Sequence, residues 1–232
     1  MSIGQRMCDG ISRLPNNPLP REIVIIGRND DGKNYVQIFG VLGEDQTSRN
    51  CALVLGAKGR VSLELANSSK AGDQRTPCDV MMENNDVFAV GNGIQTNYPK
   101  KNGKNFQGYR WEEKPDNMPR IIGVTTIFLP GKLREELHIE KFGSDGDYYS
   151  GDYYFRDVEA GFGHRISTYS GNENPLLNEP IPKPLKGGID EIAEEYWGEL
   201  NDDGVAIAVK FISLMMGGPS MTKIINKYDR IG

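Results

Sequence analysis

Histidine is scarce in this chain, with two residues, His138 and His164, in a sequence of 232. Cysteine is little commoner: Cys8, Cys51 and Cys78 are an odd number with no metal-ligand spacing. A structural zinc site is therefore not expected, and no cofactor is called for. So few cysteines do not form a disulfide framework either. The expectation is reduced thiols and a cytoplasmic protein. Positive charge is also short. The net charge is −5 and the pI is about 5.2, and the one basic run is the short KKNGK from Lys100 to Lys104. Nucleic acid, which is bound through clustered Lys and Arg, is not an expected partner. No apolar run approaches the roughly 20 residues that cross a bilayer, and the N-terminus carries no apolar signal core, so no membrane association is expected. Internal repeats are absent as well.

What is present is an ordinary globular composition, 38% hydrophobic and 25% charged. Residues 1–20 are polar, contain Pro15, Pro18 and Pro20, and read as an N-terminal extension. No linker divides residues 21–232, which read as a single domain. Strands are expected over Glu22–Gly27, Tyr35–Val41, Cys51–Leu55, Val61–Leu65, Val80–Met82 and Val87–Val90. Further strands are expected over Ile121–Leu129, Tyr153–Phe155, Arg165–Tyr169 and Val205–Leu214. These are short apolar runs rich in β-branched residues and bounded by turn residues. Asp31-Gly32 marks a hairpin, because glycine takes the positive φ that the turn demands. Leu133–Phe142 fits strand or helix, with strand preferred. Ser144–Gly151 reads as a turn. Asn172–Gly187, with four prolines, reads as irregular. Asp190–Leu200 is a helix with acids in its first turn. Ser220–Asp229 reads as a terminal helix capped by Ser220. About ten strands and two or three helices suggest two stacked sheets with helices on an outer face.

The stretch from Val87 to Val124 concentrates polar chemistry at the ends of two apolar strands, where small-ligand sites tend to form. VFAVGNGIQTN opens it and YRWEEKPDNMPRIIGV closes it. Several pieces of the chain, taken together, resemble the archaeal-type IMP cyclohydrolases and their bacterial relatives. They are GRNDDGK at Gly27–Lys33, Ser48-Arg49-Asn50, AVGNGIQTN at Ala89–Asn97, EEKPDNMPRI at Glu112–Ile121, GFGHRISTYSGNENPL at Gly161–Leu176 and VAIAVKFI at Val205–Ile212. They follow the family's order and span most of the chain from Glu22 onward. The resemblance implies an α+β fold, a four-layer αββα sandwich of the N-terminal-nucleophile hydrolase type with two mostly antiparallel sheets. It implies closure of 5-formamidoimidazole-4-carboxamide ribotide to IMP with loss of water, so the expected partner is a small purine ribonucleotide. Self-association into a homo-oligomer is compatible with the sequence. The chain departs from the archaeal pattern in its first twenty residues, in a shorter stretch after Asn92-Gly93, and in having Cys78 where archaeal members place a tyrosine.

Ring closure needs an acid and a base, oriented reactants and donors for a charged oxygen, but no metal. The family's catalytic-type acid falls at Glu112, with Glu113 the adjacent alternative; two acids in a polar loop are otherwise usually solvated. Arg49, flanked by Ser48 and Asn50, is the candidate to hold phosphate or the carboxamide oxygen, against the plain alternative of a surface arginine. Asn92 and Gly93 place an amide and a bare backbone where a ligand can approach, or form a simple turn. Arg120 pairs with Glu112, contacts substrate, or makes a structural ion pair. His164 is a proton carrier or a hydrogen-bonded structural histidine. Tyr169 and Asn174 follow it and are candidates to face the base ring. The decisive expectation is that Arg49, Asn92 and Glu112 line one hollow. A purine-nucleotide-binding protein without turnover is the competing expectation.

Overall fold

The computed structural model describes residues 21–43, 51–65, 78–84, 86–92, 120–129, 132–142, 148–156, 158–168, 179–215 and 218–228. Thirteen strands and one α-helix occur among these residues. The first six strands are β1 (Arg21–Arg28), β2 (Asn34–Leu42), β3 (Cys51–Leu55), β4 (Val61–Leu65), β5 (Cys78–Asn84) and β6 (Val87–Gly91). They are followed by β7 (Arg120–Leu129), β8 (Lys132–Phe142), β9 (Tyr148–Arg156), β10 (Phe162–Ser167) and β11 (Ile181–Pro184). Helix α1 (Ile189–Glu199) then leads to β12 (Gly204–Ser213) and β13 (Met221–Asn226). A six-stranded sheet has the order β11-β10-β1-β2-β12-β13, and a seven-stranded sheet runs β3 to β9 in sequence order. All strand ladders in both sheets are antiparallel.

Strand alternation sorts the side chains into layers. Val24 and Ile26 of β1, Tyr35, Phe39 and Val41 of β2, and Ala206 and Ala208 of β12 pack against Phe88, Val90, Ile121, Leu137 and Ile139 between the sheets. The intervening residues Ile23, Ile25, Val36, Ile38, Ile207, Val209 and Phe211 face the other way and bury Ile192, Ala193, Tyr196 and Leu200 of the α1 region. Strands β1, β2 and β12 are thus apolar on both faces, which is why they read as continuous hydrophobic runs. Helix α1 starts after Gly188, whose N–H donates to Glu191 Oε2 at 2.7 Å. Among the described residues the layers are helix, sheet, sheet, giving a two-sheet α+β sandwich. No helix of the described residues is long and apolar enough to cross a membrane.

The structure departs from the sequence expectations in four places. Residues 221–226 form β13, not a helix, because Thr222, Ile224 and Ile225 complete the ladder on the outer edge of β12. Strand β11 lies within the stretch read as irregular. Its Pro182 and Pro184 are tolerated because it pairs only with β10 and leaves its other edge open. Strand β9 begins at Tyr148, inside the expected turn, since β8 extends far enough to pair with it. Cys78, expected as a reduced thiol, is disulfide-bonded. Spacing along the chain carries no information about the Cβ separation that permits such a bond.

The connections divide between the two ends of the sandwich. The β1–β2 turn around Gly32, the β3–β4 turn at Ala57–Gly59 and the tight β5–β6 and β7–β8 connections lie at one end. The strands flanking residues 44–50, 66–77, 93–119, 143–147 and 169–178 all terminate at the other end. Leu42 there pairs with Arg21, Cys51 with Leu65 and Phe142 with Tyr148. Asn92 and Thr168 both bond to Glu22.

Candidate functional site

Glu22 is the second residue of β1, and alternation puts its side chain on the same inward face as Val24 and Ile26. Its residue surface is 7% exposed. Asn92, which follows β6, donates from Nδ2 to Glu22 Oε2 at 2.5 Å. The other end of the same amide is also held, because Asn92 Oδ1 accepts from the Ile121 N–H at 2.7 Å. The Asn92 N–H returns the bond to the Ile121 carbonyl at 3.1 Å. Asn92 therefore extends the β6–β7 ladder by one residue, using its side chain as a backbone mimic. Just after β10, the Thr168 hydroxyl accepts from the Glu22 N–H at 2.9 Å, and the Thr168 N–H donates to the Glu22 carbonyl at 3.0 Å. Glu22 is the node at which β1 and β10 of one sheet meet β6 and β7 of the other.

Burial pushes the Glu22 carboxyl up to about 7, against the smaller opposing pull of the Asn92 hydrogen bond and the Arg120 charge. Arg120 opens β7, is 9% exposed and stands opposite Glu140 in the β7–β8 register. On the other side of Glu22, Arg21 is ion-paired with Asp203 at 2.6 Å. The result is a carboxyl group poised near neutrality at the end of the sandwich where the long connections attach. A group titrating near the working pH can both give and take a proton.

The expected site residues divide into three sets. Asn92 and Arg120 are brought together here, around Glu22. His164 is not with them: it pairs with Ile26 in the β1–β10 ladder, four residues along β1 from Glu22, which is roughly 13 Å at the usual strand rise. Its ring stacks on Phe155 at 3.7 Å, and its Nδ1 lies 3.8 Å from Glu135 Oε2. Arg49, Ser48, Asn50, Gly93, Glu112, Glu113, Tyr169 and Asn174 lie outside the described residues. Of the three residues expected to share one hollow, Asn92 alone falls within them.

Beside the part-exposed His164 a second polar cluster lies between the sheets. Glu135, Tyr35 and Gln37 are fully buried. Among the described residues, both Glu135 oxygens, the Tyr35 hydroxyl and Gln37 Oε1 make no hydrogen bond of regular geometry, although Tyr35 and His164 are close enough to act on the Glu135 carboxyl. Gln37 Nε2 donates to the Phe88 carbonyl at 3.2 Å and to Thr125 Oγ1 at 3.3 Å. Burial raises the Glu135 carboxyl above its ordinary range, with His164 and Tyr35 pulling the other way. This cluster lies toward the tight-turn end, beside the GRNDDGK segment, whose Arg28 donates to the Gly32 carbonyl at 2.7 Å. Among the described residues no group of three or more His, Cys, Asp and Glu has the arrangement of a metal site.

Sequence reasoning passed over Glu22, Thr168 and Glu135. The signal for Glu22 was an acid in step with Val24 and Ile26 on the inward face of a buried strand. Glu135 carried the same kind of signal, in step with Leu133, Leu137 and Ile139 on β8. Both were readable by period-two alternation once the strands were accepted. The class defined by these observations is a two-sheet α+β sandwich with a buried, titratable carboxyl at its long-connection end. Compared with known proteins, the chain matches no family model and no curated sequence.

Proposed function

We propose that this chain is an IMP cyclohydrolase, closing 5-formamidoimidazole-4-carboxamide ribotide to IMP with loss of water on an αββα sandwich of the N-terminal-nucleophile hydrolase type. The observation that carries the reading is topological. Four of the segments that resemble the family, those holding Ser48-Arg49-Asn50, Asn92-Gly93, Glu112-Glu113 with Arg120, and Tyr169 with Asn174, are flanked by strand ends at one end of the sandwich. Glu22, Asn92, Arg120 and Thr168 cluster at that same end. Long connections in a compact domain are commonly functional, and rigid strands beneath them position their side chains.

In this reading the carboxamide nitrogen attacks the formyl carbon and loses one proton, and the formyl oxygen gains one. The carbinolamine then loses that oxygen as water, as the formamido nitrogen gives up its own proton. Glu112, or Glu113 beside it, does acid–base work. Arg49 holds the phosphate or the developing oxyanion, and orientation of the two arms supplies much of the rate. The test is the absorbance change on cyclisation of the formamido ribotide without added metal. Turnover by the native chain, with loss of turnover but retained binding in Glu112→Gln, supports the assignment. Full activity in that variant removes Glu112 from the mechanism, and no turnover by the native chain removes the activity.

One observation favours a second reading, a nucleotide-binding protein without turnover on the same scaffold. The position aligned with the family's tyrosine is Cys78, and its sulfur is committed to a disulfide, so it offers neither a phenol nor a thiol for proton transfer. This reading predicts a thermal shift with IMP or AMP and no product.

A further inference from the structure

We propose that Glu135, Tyr35 and His164 form a second binding site, at the tight-turn end of the sandwich, for a protonated amine: the ammonium ion or the ammonium head of a small primary amine. The inference is independent of the nucleotide reading, and none of its residues belongs to the Glu22 cluster.

The register of the two sheets sets up the site. Across the six-stranded sheet, Lys210, Gln37, Ile26 and His164 are successive ladder partners on β12, β2, β1 and β10. Across the seven-stranded sheet, Glu83, Phe88, Thr125, Glu135 and Phe155 are successive partners on β5 to β9. The two rows face each other between the sheets. Lys210 Nζ donates to Glu83 Oε2, Gln37 Nε2 donates to the Phe88 carbonyl and Thr125 Oγ1, and the His164 ring lies on Phe155. A polar belt thus crosses the interior just beneath the tight turns.

The two ends of the belt are finished differently. At the Lys210 end the charges are paired: Lys210 Nζ also donates to the Gly59 carbonyl at 3.2 Å, and Ser220 Oγ donates to Glu83 Oε2 at 3.1 Å. At the other end Glu135 and Tyr35 are fully buried. Among the described residues, both Glu135 oxygens, the Tyr35 hydroxyl and His164 Nδ1 make no hydrogen bond of regular geometry. Tyr35 and His164 nevertheless lie close enough to act on the Glu135 carboxyl, so the three groups converge. Arg28 acts on that carboxyl too, but its Nη2 is engaged by the Gly32 carbonyl at 2.7 Å. A buried acid left in this way costs stability, which a bound partner offsets.

The chemistry of that partner follows from the atoms. An ionised carboxylate only accepts, a phenol oxygen accepts, and an imidazole Nδ1 accepts when the ring proton is on Nε2. Several acceptors with one negative charge match a cation that carries several N–H donors. A bare alkali or alkaline-earth ion suits an all-oxygen shell, and the imidazole nitrogen here favours a donor instead. His164 Nδ1 lies 3.8 Å from Glu135 Oε2, too far for the two to bond each other. A nitrogen about 2.8 Å from both sees them roughly 85° apart, which two N–H groups of one ammonium can span. The His164 side chain, 22% exposed, forms the outer wall, so the amine is small.

The experiment is thermal unfolding of the full chain at about pH 7.5, above the ordinary histidine value. Ammonium, methylammonium, potassium and tetramethylammonium chloride are compared at constant ionic strength. Ammonium and methylammonium should raise the midpoint saturably, by about 3–6 °C at ten times the dissociation constant. Potassium and tetramethylammonium, which have no N–H donors, should not. Glu135→Gln, which keeps the shape and removes the charge, should lose the rise. A response to potassium as large as that to ammonium overturns the proposal, as does the absence of a saturable rise in any salt or an equal rise in Glu135→Gln. Should that variant not fold, His164→Phe decides. It keeps a ring on Phe155 and removes one acceptor, so ammonium binding weakens about tenfold, and unchanged binding refutes the proposal. None of these outcomes bears on IMP binding or turnover.

Discussion

Replacing Glu22 by glutamine measures directly what it costs this fold to bury a carboxyl group. The folded-state value of Glu22 is about 7, against an ordinary 4.5. Between those two values the folded protein holds the proton and the unfolded chain does not. Stability therefore falls as pH rises through that window. The difference of about 2.5 units, at 1.36 kcal/mol per unit, amounts to a loss of stability of about 3 kcal/mol, absent at acid pH and complete above neutrality. Glutamine keeps the acceptor for Asn92 and has nothing to ionise. Urea denaturation at a series of pH values should show native protein and Glu22→Gln nearly equal near pH 4.5, with the variant more stable by about 3 kcal/mol near pH 8. Glu135, His138 and the other titrating groups are common to both proteins and cancel in the difference. Parallel stability curves would show that Glu22 is solvated or firmly paired, and the reasoning about its charge would fail with them.

Asn92→Ala should destabilise the fold by about 2–3 kcal/mol. It strands the Ile121 N–H and removes the one hydrogen bond to the Glu22 carboxyl, so that Glu22 also titrates still higher; denaturation and a carboxyl NMR titration check the two effects. Lys210 is fully buried, with Nζ donating to Glu83 Oε2 at 2.5 Å and to the Gly59 carbonyl at 3.2 Å. Lys210→Ala should cost about 3 kcal/mol, and Lys210→Met paired with Glu83→Gln should recover most of it. A double variant no better than the single one would show that the damage comes from packing. His138 lies between Glu136 and Asp152 on β8 and β9. Burial pulls its ring down, but the two carboxylates outweigh burial and hold it above its ordinary value. Its contribution to stability is complete below the ordinary histidine value and is lost as pH rises through the raised one. NMR titration should find the His138 ring titrating lower in Asp152→Asn, and an unmoved titration would discard that pairing.

Most of the strand framework was legible in the sequence, because burial leaves a local record. Glu22–Gly27, Tyr35–Val41 and Val205–Leu214 sit between a sheet and a second layer, so they are apolar at nearly every position. The hairpin at Asp31-Gly32 was legible because Gly32 takes a φ of 68°. Helix α1 announced itself by its acids and its apolar stripe. The misreadings fell where pairing overrides local preference. Met221–Asn226 is a strand because β12 offers an open edge, and β11 is a strand because an edge can spare the N–H groups its prolines lack.

The site divides along the same line. The sequence determined by itself that Asn92 and Arg120 lie at the ends of core strands, since the apolar runs of β6 and β7 stop and start there. Tertiary structure alone decided that Glu22, far away in number, closes on Asn92. It also decided that His164 stands apart with Glu135 and Phe155, and that tight turns gather at one end while the long connections gather at the other. Alternation along a strand fixes which face a side chain takes, because its period is local. Which residue waits across the gap depends on the order and register of strands from both sheets, and no local pattern encodes that.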